Sequence, residues 1–378
     1  MNCFGRNPAT GAILEVAFHD VIETVTASEQ PTDLYLAPGW IDLQVNGFAG
    51  VDYNNAATPH AEIERSLHTL FSTGVTRFYP TVITGAPDSM TASLRNLAAA
   101  REALPNGEAM EGFHVEGPFI SPEEGPRGAH PKQWVRKPDL DEYRRWQDAA
   151  AGRVRIVTLA PEWPEAPRFI EEVTSQGVVV SIGHTQATSA QIADAVSAGA
   201  TLSTHLGNGA HGVMRRHPNY IWDQLAEDRL MADFIVDGIH LDAAFLKVAV
   251  RAKTVDRSVL VTDAAPPAAA APGRYYIADQ PVDLREDGRV VLAGQERLAG
   301  SALRMDRGIE NLMRLAGLAL GDAVRMATVN AARAGKVAGR AAGVAPGDRA
   351  DLVQFRYDAG RIAVAQVWIS GQRVFAAD

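Results

Sequence analysis

Cysteine is all but missing from this chain: Cys3 stands alone among 378 residues. A lone thiol makes no internal disulfide, so burial must hold the fold, which fits a reducing, cytoplasmic compartment. Long apolar runs are absent too. Although 46% of the residues are hydrophobic, no stretch approaches the ~18 consecutive apolar residues of a membrane span. The opening residues, Met1-Asn2-Cys3-Phe4-Gly5-Arg6, lack the basic-then-apolar order of a secretory signal. Positive charge is scarce: 36 Lys and Arg face 45 Asp and Glu, for a formal charge of −9. General attraction to nucleic acid or to an anionic membrane is therefore disfavoured. An anionic small molecule would need a local cationic pocket. Arg215-Arg216-His217 and Arg127 with His130 are the clusters that offer one, although an arginine taken alone is usually solvated surface.

The sequence shows no repeat of fixed period and no low-complexity segment. What it has is alternation. Short runs of β-branched and small residues recur at 39–45, 77–82, 112–116, 155–160, 178–184, 202–205, 233–237 and 259–263, the pattern of buried parallel strands. Between them lie stretches of helical composition at 61–73, 90–103, 166–176, 189–198 and 241–253. Eight strands with helical crossovers predict a (β/α)₈ barrel, and a doubly wound sheet would give a similar pattern. The barrel is favoured because the polar residues Glu116, His184, His205, His240 and Asp263 fall at or just past strand C-termini, where barrel sites assemble. Both chain ends read as short strands, so 1–37 and 345–378 are expected to pair in a small β domain around a barrel of 38–344. Residues 275–292 predict a β excursion turning at Glu286-Asp287-Gly288, and 305–320 and 321–334 predict two helices.

Metal-assisted hydrolysis needs neutral nitrogen and anionic oxygen ligands, plus a free carboxylate to move protons. Glu116, His184 and His205 supply the first set and Asp263 the second. A lone histidine on a buried strand is more often a hydrogen-bonded core residue, but here inward-facing polar groups recur on several strands. Period-2 alternation puts His114 and Glu116 on one face of their strand and Ser203 and His205 on one face of theirs. The first strand offers no His-x-His pair: Ile41-Asp42-Leu43-Gln44-Val45-Asn46 places neutral amides where a second metal would want ligands. No lysine stands in Thr158-Leu159-Ala160-Pro161-Glu162 to bridge two ions. One divalent ion is therefore expected, zinc foremost, with iron, manganese or cobalt as alternatives. Gln44 and Asn46 either orient the attacking water or only cap the strand. Asp263 is the general acid/base for attack on an amide carbonyl, and His130 is the candidate donor to the developing oxyanion.

At these residues the chain resembles the N-acetylglucosamine-6-phosphate deacetylase family of the amidohydrolase superfamily. The likeness is carried by Pro38-Gly39-Trp40-Ile41-Asp42, His114-Val115-Glu116-Gly117-Pro118-Phe119, Gly128-Ala129-His130, Gly183-His184-Thr185, Thr204-His205-Leu206, Asp237-Gly238-Ile239-His240, Val261-Thr262-Asp263-Ala264 and Leu298-Ala299-Gly300-Ser301. The resemblance implies a (β/α)₈ barrel with a small β-sandwich built from both chain ends, a metal on Glu116, His184 and His205, and Asp263 as acid/base. It implies substrate contacts at Ala129, His130, Asn208, Gly209, Arg216, His240, Leu298, Ala299 and Gly300. It also implies a cytoplasmic homodimer of amino-sugar catabolism, in which Arg216 reaches the neighbouring subunit's sugar phosphate. Two departures stand out. Where the family commonly reads His-x-x-Asn-Ala-Met, this chain has His205-Leu206-Gly207-Asn208-Gly209-Ala210-His211, and the loop before His130 carries Pro122-Glu123-Glu124-Gly125-Pro126. N-acetylgalactosamine 6-phosphate or an N-acyl amino acid is thus an alternative substrate to N-acetylglucosamine 6-phosphate.

Overall fold

A computed structural model describes residues 1–340 and 343–377. Eight parallel strands follow one another around a cylinder: β1 (Trp40–Val45), β2 (Val75–Ile83), β3 (Phe113–Glu116), β4 (Val154–Leu159), β5 (Val179–Ile182), β6 (Leu202–Ser203), β7 (Met231–Ile235) and β8 (Ser258–Val261). Each pairs with the next in chain order. The ends meet as well, through a parallel bridge from Val45 to Ala264 and an Asn46 N–H donating to Ala264 O at 2.7 Å. A doubly wound sheet would leave two edges apart, so the barrel reading holds.

Strand alternation sorts the core into an inside and an outside. Ile156 on β4, Val179 on β5 and Val259 on β8 join Ile41, Leu43 and Tyr79 in the interior cluster, while Val115, Val157 and Val180 face the helices. One position further along, the inward residues turn polar. His114 Nδ1 lies 3.1 Å from Leu43 O and Nε2 2.7 Å from Thr158 Oγ1. A carbonyl can only accept, so Nδ1 carries the proton and Thr158 donates to Nε2. Thr204 and Ser181 continue the chain at 2.7 and 2.6 Å. Burial pushes the His114 imidazole down to about 4, which keeps it neutral. His114 is thus a satisfied core residue beneath the site.

The chain ends meet in one seven-stranded sheet. Asn2–Arg6, Ile13–Phe18, Ile22–Ala27 and Leu34–Pro38 join Leu352–Asp358, Arg361–Ile369 and Gln372–Ala376. Leu34–Pro38 pairs antiparallel with Leu352–Asp358 and ties the two ends together. Phe18 and Trp368 sit four strand spacings apart, about 19 Å on a flat sheet, yet their ring centroids are 5.9 Å apart. The sheet therefore curls over its own core of Cys3, Val16, Leu36 and Leu352.

A buried ion cluster joins this sheet to the barrel. Asp351 accepts from Arg77 Nε of β2 at 2.5 Å and from Arg349 Nε at 2.8 Å, with Arg340 Nη2 at 3.6 Å. Arg77 and Arg340 are 2% and 1% exposed. Asp351→Ala would leave both guanidiniums buried without that carboxylate, so urea unfolding should show a loss of about 3–5 kcal/mol. A loss below about 1 kcal/mol, the size of a surface pair, would mean that the cluster is not what joins the parts.

Past β8 the chain makes the expected excursion, a three-stranded antiparallel sheet of Gly273–Ile277, Gln280–Leu284 and Val290–Leu292. The two helices expected at 305–334 are each broken. Met305–Asn311 runs into a π turn, Leu312–Ala316, that ends at left-handed Gly317 (φ +75°). Leu320–Met326 and Val329–Ala334 are separated where Thr328 leaves helical geometry.

Candidate active site

The strands under the site end earlier than the sequence suggests. β5, β6 and β8 stop at Ile182, Ser203 and Val261, two residues short of His184, His205 and Asp263. Each of these three takes a positive φ, at 51°, 28° and 49°. That conformation cannot extend a ladder and costs non-glycine residues of order 1–3 kcal/mol. The local backbone therefore breaks the strand where its side chain turns into the barrel mouth.

There the three strand-end groups converge on Glu116 of β3. Glu116 Oε1 lies 3.1 Å from His184 Nε2 and 2.9 Å from His205 Nε2. His184 Nδ1 is 2.8 Å from Pro126 O, so the neutral ring is protonated on Nδ1 and aims its Nε2 lone pair at the carboxylate. Two acceptors in contact repel unless a cation or a proton lies between them. His205 has a buried Nδ1 with no hydrogen-bond partner among the described residues, and Glu116 is its acidic contact. Burial drives the His205 imidazole down, but the hydrogen bond and charge of Glu116 outweigh this and push it up to about 9. Burial likewise opposes ionisation of Glu116, yet His184 and His205 hold it well below the usual carboxylate range. One carboxylate oxygen and two imidazole nitrogens fit a divalent metal of the zinc class.

His130 completes the cluster. Its Nε2 is 3.3 Å from His184 Nε2 and its Nδ1 2.9 Å from Thr84 Oγ1, and among the described residues Glu116, His130 and His184 are the set that satisfies the spacing of a three-ligand site. His205 touches the Glu116 carboxylate directly whereas His130 meets His184, so the two histidines flank the Glu116–His184 pair. Burial and the neighbouring His184 push His130 down to about 3, keeping it neutral. Nδ1 is hydrogen-bonded to the Thr84 hydroxyl, which also lies within reach of Glu116 O, and Nε2 is the atom facing the cluster. Thr84→Val removes that hydrogen bond, about 1 kcal/mol, and should lower kcat roughly fivefold in steady-state assays; an unchanged kcat would free His130 from this control.

Asp263 Oδ1 accepts from Gln44 Nε2 at 2.9 Å and from Asn46 Nδ2 at 2.7 Å. Neither orienting a water nor capping a strand describes these amides as well as holding Asp263 does. Burial first, then the Glu116 charge, push Asp263 up to about 6. Beneath it lies Asp42, which accepts from Thr262 Oγ1 at 2.6 Å and from Thr262 N and Gln44 N at 3.2 and 3.3 Å. Asp42 thereby clamps β8 to β1. Asp42, Gln44 and Asn46 recur at two-residue intervals along and just past β1, the signal in the sequence that could have found Asp42.

These groups open into one cavity of about 320 Å³, within the range of small-molecule sites. Asn46, Ala129, Asn208, Gly209, His240, Leu298, Ala299 and Gly300 line it with the metal cluster and Asp263. His240 is set by Asp237, whose Oδ2 lies 2.6 Å from Nδ1. The Leu298 to Gly300 segment is tied to the site by Ser301 N donating to Asp263 O at 3.0 Å. Gly209 is left-handed (φ +54°), and a Cβ there would fall 2.6 Å from His184 Nδ1, so the alanine usual at that place does not fit this His184 position. A Cβ at Gly207 would meet the Phe245 ring at 2.7 Å. Arg216 is the exception among the expected contacts: it is exposed on the loop after β6 and does not line its own chain's cavity.

The Amidohydrolase family model matches residues 35–374. The chain is 34% identical over 86% of its length to the N-acetylglucosamine-6-phosphate deacetylase of Bacillus subtilis, covering 81% of that protein. It is 32% identical over 92% of its length to the N-acetylgalactosamine-6-phosphate deacetylase of Escherichia coli, covering 89% of that one. A solved structure from Mycobacterium smegmatis, a mutant N-acetyl-D-glucosamine-6-phosphate deacetylase in complex with N-acetyl-D-glucosamine-6-phosphate, superposes with a TM-score of 0.87 at 32% identity, over 96% of this chain and 94% of that one. The Thermotoga maritima N-acetylglucosamine-6-phosphate deacetylase superposes with a TM-score of 0.88 at 25% identity over the full length of both chains. Matched over most of its length by the family model and by these relatives, the chain belongs to the N-acetylglucosamine-6-phosphate deacetylase family of amidohydrolases.

Proposed function

We propose that this protein hydrolyses the acetamide of N-acetyl-D-glucosamine 6-phosphate to D-glucosamine 6-phosphate and acetate, in amino-sugar catabolism. The observation that carries the reading is the convergence of Glu116, His184 and His205 beside Asp263 in one cavity. A divalent cation held by those three, zinc by preference, would supply Lewis acidity at the acetamide carbonyl and acidify a neighbouring water. Asp263, fixed through Oδ1 by Gln44 and Asn46, takes the proton from the attacking water on its other oxygen. It then delivers that proton to the sugar nitrogen as the C–N bond breaks, so the amine leaves neutral and the base is regenerated. His130 Nε2–H donates to the carbonyl oxygen as negative charge develops on it.

Ala129, Gly209 and the 298–300 backbone would seat the sugar, and Asn208 and His240 its phosphate. Arg216, exposed on its own chain, would come from a second copy, making the working form a homodimer. The division into a 38–344 barrel and a β domain of 1–37 with 345–378 belongs to the same reading, as does a cytoplasmic setting for a chain whose one thiol is buried. A second substrate, N-acetylgalactosamine 6-phosphate, is favoured by the altered Gly207-Asn208-Gly209 loop and by the relative that carries that name.

The test pairs metal analysis with acetate release from N-acetylglucosamine 6-phosphate, N-acetylgalactosamine 6-phosphate and unphosphorylated N-acetylglucosamine. About one metal per chain and fastest release from the first substrate is the expected result. Faster release from the galactosamine ester selects the second reading, and no acetate from either phosphate ester overturns both.

A further inference from the structure

Two amides hold Asp263, and neither is anchored through its own oxygen. Gln44 Nε2 and Asn46 Nδ2 both donate to Asp263 Oδ1, while Gln44 Oε1 and Asn46 Oδ1 are buried with no hydrogen-bond partner among the described residues. Hydrogen bonding can therefore steer Gln44 only through its main chain. The ladder between β1 and β2 is irregular from Asp42 to Val45, and the Gln44 N–H donates instead to Asp42 Oδ1 at 3.3 Å. We propose that Asp42 is a positioning residue for the general base, acting on Asp263 through Gln44 on one side and Thr262 on the other. This rests on Asp263 being the acid/base of the proposed hydrolysis.

The Thr262 side is tied more tightly. Thr262 Oγ1 donates to Asp42 Oδ2 at 2.6 Å, and Thr262 N donates to Oδ1 at 3.2 Å. The same hydroxyl oxygen accepts from Ala264 N at 3.1 Å, so the residues before and after Asp263 are both tied back to one carboxylate. Asp263 needs that bracket. Its φ of 49° is left-handed, a conformation that persists at a non-glycine residue only where the surroundings over-determine it. Ser301 adds to the bracket, with Oγ donating to Thr262 O at 2.5 Å and N to Asp263 O at 3.0 Å.

Asp42 is buried and lies outside the residues that line the cavity, so it acts only through its neighbours. Three donors converge on its two oxygens, which an acceptor-only carboxylate satisfies and no neutral side chain matches. Among the described residues that carboxylate bonds to Thr262 and Gln44 alone. It reaches neither the candidate metal ligands nor the residues expected to seat the sugar. Without it, Asp263 keeps its proton chemistry and loses its aim, and a misplacement of about 1 Å at a reacting group can cost about 10²-fold in rate. The loss therefore falls on kcat and spares KM and the metal.

The experiment measures kcat, KM, bound metal and Tm on N-acetylglucosamine 6-phosphate for wild type, Asp42→Ala, Asp42→Asn, Thr262→Val and Thr262→Ser. It repeats Asp42→Ala and Thr262→Val in an Asp263→Asn background. Asp42→Ala and Thr262→Val should each lower kcat about 10- to 100-fold, with KM within about threefold of wild type and the metal content unchanged. Thr262→Ser keeps the hydroxyl and should stay within about threefold of the wild-type kcat, and Asp42→Asn, which keeps an acceptor for the two N–H groups, should recover part of the loss. In Asp263→Asn neither change should lower the residual rate by more than about twofold, because residues that act as a unit are not additive. The same fold-loss in both backgrounds, or an unchanged kcat, would make Asp42 a strut of the barrel and overturn the proposal. Thr262→Val preserves the shape of its side chain, so it decides the matter even if Asp42→Ala does not fold. Failure of the parent reading looks different: Asp263→Asn itself would turn over near the wild-type rate, and the proposal would fall with it.

Discussion

Asp263→Asn should lower kcat by about 10³- to 10⁴-fold, toward the upper end of what general acid–base catalysis supplies, while the metal content stays at that of wild type. The asparagine keeps an Oδ1 to accept from Gln44 and Asn46, so the geometry that holds residue 263 is retained. What disappears is a group able to take a proton from water and return it to nitrogen. The pH profile gives an independent check. Asp263 acts as a base only when ionised, so kcat/KM should rise with pH through its pKa. Burial and Glu116 push that value up to about 6, and a cation on Glu116, His184 and His205 offsets the Glu116 repulsion, so the limb should lie at or below about pH 6. In Asp263→Asn the acid limb should vanish. Near-wild-type turnover with metal bound would remove Asp263 from the chemistry.

Glu116→Ala should have the other large effect, on the metal itself. One Glu116 carboxylate oxygen lies within 3.1 Å of both candidate ligand histidines, His184 and His205. Even an indirect partner of a ligand is worth 10- to 100-fold in metal affinity, so losing a direct anionic ligand should weaken binding by more than about 10²-fold. After dialysis the variant should hold less than a tenth of the wild-type metal and release acetate in proportion. The His205 imidazole should also lose the acidic partner that raises it. Retention of a full complement of metal would shift the ligand set toward His130, the other histidine gathered there.

Much of the site was legible because it is made of strand ends. A run of β-branched residues that stops at a histidine or an acid declares both a buried strand and a polar group at its mouth. Glu116, His184, His205 and Asp263 could therefore be named before any fold was known. The altered loop after β6 was equally plain as a departure, although its physical reason was not: only the position of His184 shows why residue 209 must lack a Cβ.

By itself, then, the sequence determined the period of the strands, the order of barrel and excursion, and the kinds of side chain at each strand's end, because these are set by residues near one another in the chain. The tertiary structure decided what each polar group touches. Gln44 meets Asp263 across 219 positions, Arg77 meets Asp351 across 274, and Arg297 meets Gly128 across 169. No local pattern encodes such pairs; they exist only once β8 has closed onto β1 and the two chain ends have been brought to the same side of the barrel.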